Sequence, residues 1–229
     1  IGGGNKILIQ SMTNKKNLDD LKNHEELRSI CCKFGFFLTD IQSQQLYQYL
    51  SVLCQWNKVI NLVGTHTMKD TLIKLIFDSF YLYKFINKNL SAFQDNNEIW
   101  DLGSGAGIPG IPLRMLWNKG TYWLIESRDK RTAFLLTVLA KIPLQHVYVF
   151  HGRAETFMAN RQASLIISRA FMPWEQVLDM FYPALRTGGS VIFLLNNIVK
   201  NHDQKWESFS QLEYIVDGKK RHIVAFKKV

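Results

Sequence analysis

Ten residues, Asp101-Leu102-Gly103-Ser104-Gly105-Ala106-Gly107-Ile108-Pro109-Gly110, carry the most specific chemistry in the sequence. An acid that closes a short apolar run and opens into alternating glycines brings bare backbone against a ligand, because no Cβ stands in the way. A ligand held by such a turn sits outside the carboxyl ends of the strands. Asp101, Gly103, Gly105, Gly107 and Ile108 are therefore candidate ligand contacts. Gly105, Gly107 and Gly110 also spell GxGxxG, the dinucleotide fingerprint, which keeps a nicotinamide-dependent oxidoreductase as a rival. Pro109 interrupts that pattern and the glycines begin too early for it.

A second acid, Glu126, closes the next apolar run. A carboxylate there can accept from both hydroxyls of an adenosine ribose; the plain alternative is a solvated helix-capping acid. Ser127 can cap a helix beginning near Asp129 and joins the candidate contacts. Gly152-Arg153-Ala154-Glu155 follows a third apolar run, where a base would lie, so Ala154 and Glu155 are candidates. Arg169, in Ser168-Arg169-Ala170-Phe171, can pair with a ligand carboxylate, with Asp101, with an RNA phosphate, or in a structural salt bridge. It is also the best candidate to stand near an acceptor.

Lys58, Arg128, Lys130 and Arg131 are candidate phosphate contacts, the last three clustered just past Glu126. The chain holds 28 Lys and Arg against 19 Asp and Glu, a formal charge of +9, which favours a polyanionic partner through counterion release. His66 and His151 have no second ligand at useful spacing, so no metal is expected.

The elements that must position these residues alternate from Glu98 onward. Strands are predicted at 98–102, 122–126, 147–150, 165–168 and 191–195, and helices at 108–117, 129–140 and 175–185. Gly188-Gly189 reads as a turn, and 213–216 with 223–226 as an antiparallel hairpin about Asp217-Gly218. Strands alternating with helices imply a parallel sheet covered on both faces. Residues 18–93 read as a helical cap. Thr39-Asp40 is an N-cap signal, and Ile41, Leu46, Tyr49, Leu50, Leu53 and Trp56 return to one face. Asp70 is predicted to cap a second helix bearing Leu72, Leu75, Ile76, Phe80 and Tyr83. Residues 1–17 read as a flexible leader outside the fold, with Met12 as the expected start, and 94–229 as the main domain.

With 229 residues, 47% hydrophobic and 21% charged, the chain can bury a sizeable core, which excludes fibrous and disordered classes. Apolar runs such as Val191 to Leu195 are far too short to span a bilayer. Cys31, Cys32 and Cys54 form no CxxC pair, which argues for a reducing, cytoplasmic setting; a monomer is the default expectation.

Together these residues resemble the bacterial methyltransferases of the glucose-inhibited-division B family, which methylate N7 of a guanine in small-subunit (16S) ribosomal RNA. The resemblance covers roughly residues 25–200. It rests on Trp56-Asn57-Lys58 with Asn61-Leu62, Asp78-Ser79, Asp101 through Pro112, His151 through Glu155, and Ser168 through Phe171. It implies an α/β class I S-adenosylmethionine-dependent methyltransferase, Rossmann-like, its mostly parallel sheet ending in an antiparallel hairpin behind an N-terminal helical cap. It also implies S-adenosylmethionine as cofactor, and ribosomal RNA or the 30S subunit as partner. Its cofactor contacts fall on Gly103, Ile108, Ala154, Glu155 and Arg169, with Glu126 in the ribose place. Three features depart from its pattern: Leu75 where the family usually has His, Asn196-Asn197 where it often has Lys-Gly, and Gly64-Thr65-His66 in the family's acidic loop after Trp56-Asn57. These bear on RNA contacts and rate, and leave a catalytically degenerate RNA-binding protein as the second alternative.

Overall fold

The computed structural model describes residues 20–90, 93–199 and 203–229. The expected leader and Met12 lie outside the described residues. Five helical pieces come first: α1 (His24–Lys33), α2 (Asp40–Ile60), α3 (Met68–Thr71), a π-turn (Leu72–Ile76) and α4 (Phe77–Asn89). Then β1 (Glu98–Leu102), α5 (Gly110–Leu116), β2 (Thr121–Glu126), α6 (Asp129–Lys141), β3 (Val147–His151) and α7 (Ala154–Phe157) alternate. The chain closes with β4 (Ala163–Arg169), α8 (Trp174–Phe181), β5 (Leu185–Leu195), β6 (Trp206–Val216) and β7 (Lys219–Lys228).

The seven strands form one sheet in the order β3-β2-β1-β4-β5-β7-β6, parallel except for β7, which runs antiparallel to both neighbours. Strand order reverses between β1 and β4, so the crevice of this doubly wound sheet opens at their carboxyl ends. Side chains alternate between two cores. Ile99, Leu124, Leu165 and Ile192 face the N-terminal helices, α5 and α6, whereas Trp100, Ile125, Ile166 and Phe193 face α7 and α8. The first of these cores runs without a break from Leu27 and Leu50 to Ile223, so the N-terminal helices and one face of the sheet share it.

Helix α2 starts where its sequence signal lies. Thr39 Oγ1 accepts from Gln42 N at 3.2 Å and the Gln42 side chain accepts from Thr39 N at 2.9 Å, a full capping box. Ile41, placed on the apolar face by spacing, is 69% exposed, because the first turn projects beyond the core. Asp70 is not a cap. Thr67 accepts from Asp70 N, and Asp70 instead pairs with Lys74 one turn on. The hairpin turn is Asp217-Gly218, both at positive φ, as a two-residue connection requires.

Several boundaries differ from expectation: α5 spans Gly110–Leu116 rather than 108–117, and the hairpin strands are longer, at Trp206–Val216 and Lys219–Lys228. Helix α8 ends at Phe181, and Gly188-Gly189 lie within β5 rather than before it. Leu185 pairs with Ala163 and the next partners are Ser190 and Leu165, so Arg186 to Gly189 loop out of register. Gly188, at φ +73°, supplies the local reversal. A bulge and a turn carry the same glycine signal in sequence.

Candidate functional site

The turn after β1 is held by Ser104 and by the backbone of β2. Ser104 N donates to Ile125 O at 3.1 Å, Gly107 N to Ser104 O at 2.7 Å, and Ser104 Oγ to Asp101 O at 2.9 Å. Gly103, Gly105 and Gly107 all have positive φ, which only glycine adopts without cost. A Cβ on Gly103 would lie 2.6 Å from the Phe171 ring. One on Gly107 would strike Ile111 and Leu135, so that glycine serves packing of the turn against α5 and α6. Helix α2 clamps the turn from behind, where the fully buried Tyr49 hydroxyl donates to Ala106 O at 2.6 Å.

Glu126 faces this turn across the cleft. Its Oε2 accepts from Gly105 N at 3.0 Å and its Oε1 from Arg128 N at 2.9 Å, with Arg131 Nη1 3.9 Å from Oε2. The side chain is nearly buried, yet it borders a cleft of about 310 Å³. Gly103, Ser127, Arg128 and Arg131 line the same cleft on its β1–β2 side. Gly152, Arg153, Ala154 and Glu155 line it after β3, and Ala170, Phe171 and Met172 after β4.

Of the residues expected from sequence, Gly103, Glu126, Ser127, Ala154 and Glu155 converge on this cleft. Gly105 reaches it through its hydrogen bond to Glu126. Ile108 is buried in the core and Gly107 packs behind the turn, so both shape the loop and neither lines the cleft. Asp101 turns inward. Its carboxylate accepts from the Tyr122 hydroxyl at 3.2 Å and from the backbone N–H of Gly110. Arg128 and Arg131, expected at RNA phosphate, stand in the cleft wall, while Lys58 and Lys130 are exposed in the last turn of α2 and first turn of α6.

Burial pushes the Asp101 carboxyl up from 3.8 to about 7, against the opposing hydrogen bonds from Tyr122 and Gly110. The folded protein therefore holds this proton more tightly than the unfolded chain. The stability this provides is complete below pH 4 and lost as pH rises through 7, at most about 4 kcal/mol for three units. Asp101→Asn should remove that slope, so urea titrations at pH 4, 6 and 8 should show wild type falling relative to the variant. Parallel profiles would show that Asp101 does not titrate in this range.

Arg169 does not enter the cleft. Its Nη2 lies 3.2 Å from Asp78 Oδ2, and the same carboxylate accepts from Arg221 of β7 and from the Tyr214 hydroxyl of β6 at 3.0 Å. Asp78 is 2% exposed. The four side chains border a second cavity of about 170 Å³, separated from the first by Ala170. Ala170 itself has φ +54°, a left-handed conformation unusual for a residue with a Cβ. In the sequence Asp78 carries no evident role, and neither Tyr214 nor Arg221 stands out. Only the family motif Asp78-Ser79 marked the first, and nothing local marks the other two.

Other motif residues act as framework. Asn57 donates to Thr65 O at 2.8 Å and accepts from Val63 N at 2.8 Å, which ties the Gly64-Thr65-His66 loop to α2. His151 Nε2 lies 2.9 Å from Asp129, both exposed.

Comparisons with known proteins bear on the family and the fold. Residues 42–227 match the family model for rRNA small subunit methyltransferase G, GidB. A protein of that name from Lawsonia intracellularis is 48% identical over 206 residues, which cover 89% of this chain and 94% of the relative. Another from Oleidesulfovibrio alaskensis is 39% identical over 87% of this chain and 92% of its own length. Among solved structures, one from Klebsiella pneumoniae assigned as an O-methyltransferase superposes with a TM-score of 0.57. At 10% identity it covers 88% of this chain and 96% of that one. One from Escherichia coli assigned as a methyltransferase gives 0.53 at 14% identity, over 67% and 87%. These structures share the α/β methyltransferase fold.

Proposed function

The chain belongs to the rRNA small subunit methyltransferase G (GidB) family, and from that premise we propose that it transfers a methyl group from S-adenosylmethionine to N7 of a guanine in 16S ribosomal RNA. The observation that carries this reading is the hydrogen bond from Gly105 N to Glu126 Oε2 at 3.0 Å. It sets a bare glycine turn and a fixed carboxylate on two sides of one cleft.

The cleft fits the adenosyl group by the chemistry of its donors and acceptors. Each Glu126 oxygen spends one lone pair on a backbone N–H and keeps capacity to accept from a ribose hydroxyl. Ala154 and Glu155, in the first turn of α7, offer a backbone group and a carboxylate to an adenine ring. Phe171 and Met172 supply apolar wall opposite. When bound, S-adenosylmethionine supplies an electrophilic methyl carbon on a sulfonium.

Guanine N7 carries a free lone pair at neutral pH, so this chain needs no residue to remove a proton. Its residues act by position, holding the acceptor in line at about 3–3.5 Å. The buried framework of Tyr49, Ser104 and Glu126 serves that end, since a turn that moved by an ångström would lose alignment. A splayed or single-stranded RNA segment is the natural substrate, because the base must leave its stack to enter a cleft.

The positions that depart from the family pattern leave this cleft untouched. Leu75 lies in the π-turn and Asn196 at the second cavity. No helix among the described residues is long and apolar enough to cross a membrane. Saturating S-adenosylhomocysteine is expected to raise the melting temperature by about 5–10 °C, and NAD to leave it unchanged. Small subunits from cells lacking the methyltransferase should take label from S-adenosylmethionine at one guanine. Tight RNA binding without label would assign the chain to the inactive alternative.

A further inference from the structure

We propose that the cavity at the amino ends of β1, β4 and β5 is an anion site that takes a backbone phosphate of the ribosomal RNA, at the opposite end of the sheet from methyl transfer. The proposal rests on the RNA substrate assigned above. The cavity measures about 280 Å³, and Asn97, Ser164, Ser190 and the segment Arg186 to Gly189 line it. Along β4, Ala163 at this end lies about 20 Å from Arg169 at the other, at about 3.3 Å per residue. A large RNA can meet both ends at once.

The wall of the cavity is the irregular segment of β5. Leu185 pairs with Ala163, and Ser190 pairs with Leu165 and Lys227, so the backbone of residues 186–189 has no strand partner. Gly188 turns the chain at φ +73° and leaves the approach open, since a Cβ there would meet only the Lys227 stem, at 3.9 Å. Backbone N–H groups that no strand claims, set beside a cation, form a concavity suited to an anion. Ser164 and Ser190 are buried at its inner side. Ser164 Oγ accepts from Glu98 N at 3.1 Å, which leaves its O–H to donate.

Charge selects the occupant. Arg186 lies in the segment, and Lys227 and Lys228 stand beside it on the end of β7. Arg186 Nη1 donates to the neutral Asn97 Oδ1 at 3.1 Å, and Lys228 Nζ to Tyr182 O and Leu185 O at 2.8 and 2.7 Å. None of the three cations forms a salt bridge among the described residues. Glu207 of β6 is the acid in register with Lys227, so positive charge is left in excess. The end of α4 does not offset it: Phe85 O accepts from Asn89 Nδ2 at 2.8 Å and Leu90 O from Phe93 N at 3.0 Å, so these carbonyls are spent. A phosphodiester brings oxygens for the guanidinium and the hydroxyls, and one negative charge for the excess. Its ribose can lie against Leu90 and Phe93.

The test is equilibrium binding of the full chain to undermethylated small subunits between about 50 and 200 mM KCl, alongside calorimetry with S-adenosylhomocysteine. Arg186→Gln and Lys227→Gln are each expected to weaken subunit binding by about 3–10-fold and to make the plot of log affinity against log salt shallower by about 1, with cofactor affinity unchanged. Arg186→Lys should restore the slope, because counterion release follows charge. A purely structural Arg186–Asn97 bond would, when lost, lower the melting temperature and leave the slope where it is. Subunit binding within about twofold of wild type at an unchanged slope in both Gln variants overturns the proposal; should Arg186→Gln not fold, Lys227→Gln decides alone. Binding of inorganic phosphate that Arg186→Gln abolishes, with subunit binding untouched, would assign the site to a free anion and overturn the proposal as well. Wild type that binds subunits without transferring label would remove the methylation reading and leave this site standing, whereas wild type that binds no subunits would remove both.

Discussion

Glu126→Ala is expected to weaken S-adenosylhomocysteine binding by about 100-fold or more. Two losses combine. The ribose hydroxyls lose a charged acceptor, at about 1.5–3 kcal/mol per hydrogen bond. The turn also loses its brace, since Gly105 N and Arg128 N both donate to this carboxylate and would be left without it. A loss of about 2.8 kcal/mol already gives the stated factor. Glu126→Gln should recover only part, because its amide nitrogen would face one of the two backbone N–H groups donor to donor. Calorimetry with the folded variants checks both. Binding within threefold of wild type in the Ala variant would sink the assignment of the cleft.

Asp78→Ala is expected to destabilise the protein by about 3–5 kcal/mol, the usual cost of removing one partner from a buried ionic cluster. The carboxylate is 2% exposed and holds Arg169, Arg221 and Tyr214 at once. Its loss leaves like charges on two neighbouring arginines and a buried hydroxyl without its acceptor. The contrast is Lys220–Glu213 on the same hairpin, where both partners are well exposed and the pair is worth about 0–1 kcal/mol. Asp78→Asn keeps the shape and an acceptor, and should cost less than Ala. Urea unfolding with unchanged m-values reads these differences directly. A loss under 1 kcal/mol in the Ala variant would mean that the cluster does not join α4 to the hairpin.

The prominence of Asp78 shows where sequence reading stops. An aspartate in a helix with apolar neighbours looks like an ordinary first-turn acid. Its partners lie 91 and 143 residues further along the chain, on β4 and β7, and no periodicity links them. Arg169 illustrates the same gap from the other side. Its type and its place at a strand end marked it as functional, yet ligand carboxylate, Asp101, RNA phosphate and structural pairing all remained open. Only the packing of α4 against the sheet chose Asp78.

Tyr49 is a further case. Its helical spacing put it in the core, where it lies fully buried, but its hydroxyl reaches across to Ala106 and holds the glycine turn. A residue that reads as packing is also a brace of the site. Conversely, Gly107 and Ile108 read as ligand contacts and serve the loop from behind.

What the sequence determined alone is local: five parallel strands by their apolar runs, a hairpin by Asp217-Gly218, a turn by alternating glycines, and the acid that faces it. Each depends on a few adjacent residues whose backbone and hydrogen-bonding preferences act within one turn or strand. The tertiary structure decided which charged groups share a cavity, which way Asp101 and Arg169 turn, and that two cavities meet at Ala170. Those outcomes depend on distances between segments far apart in the chain, and burial makes each one costly to satisfy in any other way.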